Sequence, residues 1–71
     1  MGEDDLMTTA ELSRKIKKPV GTLRQWRHRG FGPAGFRVGG TVVYRRSVVE
    51  AWITEQERAE SQRAPYRPGA A

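Results

Sequence analysis

"MTTAELSRKIKKPVGTLRQWRHRG", residues 7–30, is the stretch on which the fold turns. Thr8 followed by Glu11 is a capping box, in which each side chain satisfies the other residue's free backbone N–H. Met7 just before the cap can pack on Leu12 in the first turn. Leu12 and Ile16 share one face, so a first helix is predicted from Thr9 to about Lys17. Pro19 disfavours helix in the residue before it and suits the start of a new one. Val20, Leu23 and Trp26 then recur on one face, and Gly30 supplies a left-handed stop. A second helix is predicted from about Val20 to Arg29. The connection of about three residues is the length of a helix-turn-helix.

Outward from this unit, "FGPAG" (31–35) is loop punctuation. "FRVGGTVVY" (36–44) reads as a hairpin around Gly39 and Gly40. With a loop of Gly39-Gly40-Thr41, Val38 faces Val42, and Phe36, Val38, Val42 and Tyr44 share one face. Arg37, Val43 and Arg45 then take the other face. "SVVEAWI" (47–53) starts a third helix with a second capping box, Ser47 with Glu50, and a buried stripe of Val49, Trp52 and Ile53. That helix is expected to fray near Ser61. Phe31, Phe36, Tyr44, Trp26 and Trp52 are expected to meet in one core. The tryptophans could instead stack on bases, but both lie in register with the apolar residues of their helices, which favours the core. The partition is an acidic flexible lead-in (1–6), a folded domain (7–61) and a disordered tail (62–71) holding "APYRPGAA". The fold class is mainly α with a small β-hairpin, in the order helix, turn, helix, hairpin, helix.

Composition narrows the function. The 71 residues make one domain with a thin core. There is no cysteine, and His28 is the one histidine, so neither a disulfide nor a metal site is expected, and no cofactor. No apolar run approaches the roughly 20 residues of a membrane span, and the acidic start is unlike a secretory signal. A soluble, cytoplasmic, nucleoid-associated protein is therefore expected. Net charge is +5, and residues 12–49 hold ten Lys or Arg and no acid. A solvated surface intersperses both signs, so this middle segment suits a polyanion, nucleic acid first and anionic lipid second.

Helix two carries that charge. At about 100° per residue, Val20, Leu23 and Trp26 lie on one side, with Gly21, Gln25 and His28 opposite and Thr22, Arg24 and Arg29 flanking. Such a face fits a major groove: arginines hold phosphates while the Gln25 amide reaches a base edge. Gly21 has no side chain to hold the backbone away from a duplex, although a glycine near a helix start can be merely tolerated. His28 is read as a solvated histidine or a base contact. Arg27 angles back over Trp26. Arg14 and Lys15 read as a solvated surface, and Lys17 and Lys18 at the turn suit phosphates.

Taken together, residues 7–30 and "FRVGGTVVYRRSVVEAW" (36–52) resemble the small excisionase-type winged helix-turn-helix proteins, relatives of the DNA-binding domain of MerR regulators. The resemblance spans residues 7–53. It rests on Thr8 and Glu11, on Leu23 and Trp26, on the "GP" before Phe36, and on the run from Tyr44 to Trp52. It implies helix two in the major groove and the hairpin as a wing on the adjacent minor groove. Wing contacts would come from backbone amides and Thr41, with Arg37, Arg45 and Arg46 on phosphates. Two departures stand out: the wing tip, often basic in such proteins, is Gly40-Thr41, and Pro19 replaces a Ser or Thr cap. The implied function is that of a recombination directionality factor, which bends double-stranded DNA and assists a site-specific integrase in excision, with copies side by side. The alternatives are a small transcriptional regulator on the same scaffold, and a protein- or RNA-binding module. The RNA version lacks surface aromatics for base stacking. An enzyme is not expected, because no nucleophile–base set, phosphate loop or carboxylate pair is evident.

Overall fold

The computed structural model describes residues 5–63, in the order β1 (Leu6–Thr8), α1 (Thr9–Ile16), α2 (Val20–Arg29), β2 (Gly35–Val38), β3 (Thr41–Arg45) and α3 (Arg46–Arg63). The local signals around the two first helices act as expected. Thr8 N–H donates to Glu11 Oε1 at 2.8 Å, and Glu11 N–H donates to Thr8 Oγ1 at 3.1 Å. Met7 and Leu12 are both buried, one on each side of that cap. α1 ends where Lys17 turns left-handed at φ 63°, and Lys18 N–H reaches back to the Ser13 carbonyl at 3.1 Å. Pro19 caps α2 through its carbonyl alone, which accepts from Thr22 N–H (3.0 Å) and Leu23 N–H (3.2 Å). Gly30, at φ 76°, ends α2, with Phe31 N–H donating to the Trp26 carbonyl at 2.8 Å.

The sheet departs from expectation in two ways. It has three antiparallel strands, in the order β1-β3-β2, because Leu6–Thr8 pairs with Val43–Arg45. Three residues are too few for alternation to show in sequence, which is why Leu6 reads as part of the flexible lead-in. Residues 1–4 of that lead-in, and the tail from residue 64, lie outside the described residues. Second, Val38 pairs with Thr41, so the hairpin turns on Gly39 and Gly40 alone, at φ 56° and 86°. Two consecutive positive φ values are what a type I′ turn needs, and its twist matches that of the flanking strands.

The shorter loop leaves Tyr44 in the core and moves the other strand's faces. Tyr44 lies between Met7 on β1 and Gly35 on β2, and it is buried. A Cβ at Gly35 would stand 2.7 Å from Tyr44 Cε2, so the ring occupies the space that glycine leaves. Phe36 and Val38 therefore point to the outer face of the sheet, opposite Val43 and Thr41, and both are exposed. The Arg45 guanidinium covers Phe36, at 5.5 Å from the ring centroid.

β3 runs directly into α3. Arg46 N–H donates to the Asp5 carbonyl at 2.8 Å, and α3 begins at Arg46, next to Ser47. α3 continues to Arg63, past the expected fraying point at Ser61. The core joins Met7, Leu12, Leu23, Tyr44 and Val49, with Ile16, Trp26, Val42 and Ile53 packed against it. Full burial of side chains such as Leu12, Leu23 and Val49 is worth roughly 1.5–3 kcal/mol each. The aromatic residues do not form one cluster. Trp26, Phe31 and Trp52 pack together with centroids 4.9–6.0 Å apart, Tyr44 belongs to the main core, and Phe36 to neither.

Candidate nucleic-acid interface

Leu23 anchors α2 in the core, and Val20 and Trp26 are half-buried beside it. The same helical period then turns Gly21, Arg24, Gln25, Arg27, His28 and Arg29 to the exterior, with Thr22 half-buried. The β2–β3 hairpin stands next to this helix. Between them lies an open groove of about 820 Å³. Arg24, Arg27 and His28 line one wall, together with Val20. Arg37, Gly40, Thr41 and Val42 line the other, and Thr8, Thr9 and Ala10 close one end. Arg37 Nη1 donates to the Gly40 carbonyl at 3.5 Å, which ties that guanidinium to the turn.

Among the described residues, no acidic side chain lines the groove. Four described acids are engaged elsewhere: Glu11 in its capping box, Glu50 beside Lys15 at 3.8 Å, Asp5 beside Arg46 at 3.7 Å, and Glu55 beside Arg58 at 3.6 Å. These ion pairs are exposed and each adds little to stability. Their effect is on the field. With the described acids held just before β1 at Asp5, on α1 and on α3, the cations that line the groove meet no described carboxylate there, and the resulting positive potential attracts a polyanion.

Of the residues expected to contact DNA, the structure gathers Arg24, His28, Arg37 and Thr41 around one groove. Gly21, Gln25 and Arg29 are exposed on α2 outside it. Lys17 and Lys18 are exposed at the α1–α2 turn, where with Arg14 they line a separate shallow depression. Two members of the set stand apart. Arg45 lies on the outer sheet face over Phe36, and Arg46 is engaged with Asp5. The alternation of a strand separates Arg45 from Tyr44, which lines the groove.

Arg27 was missed. Helix geometry alone points it back toward Trp26, yet it is exposed and lines the groove. Val20, Arg24, Arg27 and His28 form a stripe at helical spacing, and that stripe was visible in sequence. What was not visible is that the hairpin packs on that side.

Among the described residues, no group of three His, Cys, Asp or Glu could hold a metal ion. No described helix is long and apolar enough to cross a membrane. A family model described as a helix-turn-helix domain matches residues 6–57. The match begins with β1 and ends within α3, so it covers both walls of the groove. No curated protein and no solved structure matches the chain.

Proposed function

The chain belongs to the helix-turn-helix domain family, whose members bind DNA, and from that premise we propose that it is an excisionase-type accessory factor. In this reading it binds duplex DNA in a sequence-dependent manner, bends it, and assists a site-specific integrase in excision. It acts by binding and carries out no chemistry of its own. α2 enters the major groove and the β2–β3 hairpin lies as a wing on the adjacent minor groove, so that the intervening strand follows the groove between them.

The groove between α2 and the hairpin carries the proposal: among the described residues it is lined by cations on both walls and by no carboxylate, which favours a phosphate backbone. Arg24 and Arg27 supply one wall and Arg37 the other. Phosphate contacts fix register, while Gln25, exposed on α2 outside the groove, reaches a base edge. The excision role is supported by the resemblance of residues 7–53 to excisionase-type proteins and by size. A single module of this kind buries only about 600–1,000 Å² on DNA, so specificity calls for several copies side by side.

Footprinting on the DNA flanking its own gene tests this. Tandem protected sites in one orientation at an element boundary are expected, with bending seen by circular permutation. One protected inverted repeat over a promoter would instead make the chain a transcriptional regulator on the same scaffold.

A further inference from the structure

Each described glycine but one is accounted for by the fold. Gly30, Gly32, Gly39 and Gly40 have positive φ, and Gly35 yields its side-chain space to Tyr44. Gly21 has neither reason. It is the second residue of α2, without positive φ, it is exposed, and a Cβ built there meets nothing within 4 Å. Glycine at an exposed helical position weakens the helix relative to alanine. The fold is therefore less stable for having glycine here, and gains no contact from it.

Position explains what the fold does not. Gly21 stands one turn before Arg24 and Gln25 and two turns before His28, all of them exposed. The missing side chain leaves a notch at the start of the polar stripe of α2. We infer that Gly21 sets how deeply α2 seats in the duplex. The sugar–phosphate rim of the major groove comes into van der Waals contact with its bare Cα, and that approach brings Gln25 within reach of a base edge. A side chain here would lift the helix from the groove. This rests on the reading of α2 as the helix that enters DNA.

The test compares the full chain with Gly21→Ala and Gly21→Leu on a duplex selected by the wild-type chain from random sequence. Melting temperature and affinity should move in opposite senses. Gly21→Ala should raise Tm by about 2–6 °C and weaken binding about tenfold. Gly21→Leu should also melt cooperatively and weaken binding by about 100-fold or more, because the longer side chain holds the helix farther out. Variants that bind the selected duplex as tightly as the wild type would overturn the inference and leave DNA binding standing. A fall in Tm for Gly21→Ala would also overturn it, by revealing a structural need for glycine. If the wild-type chain selects no duplex, the underlying reading of α2 fails, and the inference with it.

Discussion

Lys17 shows how one residue can serve the fold poorly, and it stands at a place where we propose that it serves a partner. Its φ of 63° is a left-handed conformation that a side chain with a Cβ resists. Glycine is the usual residue at such a helix stop. Lys17→Gly should therefore stabilise the domain by about 0.5–1 kcal/mol, read from thermal melts. The same variant should bind DNA more weakly at low salt, because a cation at the turn is lost. Equal or tighter binding would remove Lys17 from the interface. Gly35 is the opposite case, a residue the core requires. Gly35→Ala places a methyl against the buried Tyr44 ring and near the Val43 carbonyl. Overpacking of this kind should cost about 1–3 kcal/mol, and a melt unchanged from wild type would mean that the sheet register differs from the one described.

At the scale of the element, α2 divides its work by face. The core side holds Leu23 and, partly, Trp26, whose ring meets Phe31 at 4.9 Å and Trp52 at 5.7 Å. Trp26→Ala should cost about 3 kcal/mol, enough to abolish the cooperative melt of so small a domain. A mutant that melts cooperatively and loses only DNA binding would make Trp26 a contact residue. The exterior splits again. Arg24→Ala and Arg27→Ala should each weaken binding to all sequences and lower the salt slope by about 1, since both guanidinium groups line the groove beside the hairpin. Gln25→Ala should instead relax preference at one base pair, at a cost of about 1–3 kcal/mol on the selected site. If Gln25→Ala left base preference intact while Arg27→Ala altered it, the helix would be rolled toward the hairpin in the complex.

For the molecule as a whole, the placement of charge decides its behaviour more than the sum of +5. Among the described residues, acids sit at Asp5 just before β1, on α1 and on α3, and none lines the α2–hairpin groove. If about six cations neutralise phosphates, log K should fall with log[salt] at a slope of about −5. A slope near zero would exclude nucleic acid as the partner. The same charge sets the assembly. In the proposed assembly, copies would repel through their basic faces in free solution and approach only where phosphates neutralise those faces. Sedimentation should find a monomer, and tandem sites should fill cooperatively, with the acid-bearing, exposed end of α3 turned toward a neighbour's basic face. Such a contact is head-to-tail. A stable two-fold dimer in solution would contradict it.

The sequence by itself determined α1 and α2. The capping box of Thr8 and Glu11, the break at Pro19 and the stop at Gly30 each act within about one turn of the chain, and helix hydrogen bonds close over that same short span. Those signals also fixed which side of α2 is buried, because Leu23 and its neighbours share one face. Sequence also placed the β2–β3 hairpin around Gly39 and Gly40, but tertiary structure alone decided its register and the addition of β1 to the sheet. Leu6 finds Arg45 and Met7 finds Tyr44 across nearly the whole domain, and a strand as short as β1 leaves too little alternation to announce it. The hairpin register turned on the fit between Tyr44 and Gly35, a contact between strands rather than a property of either. The groove is of the same kind. Arg27 joined it, and Arg45 left it for the outer face, because of where the hairpin packs against α2. Helical periodicity places side chains around an axis, but only long-range packing says which of them a second element will face.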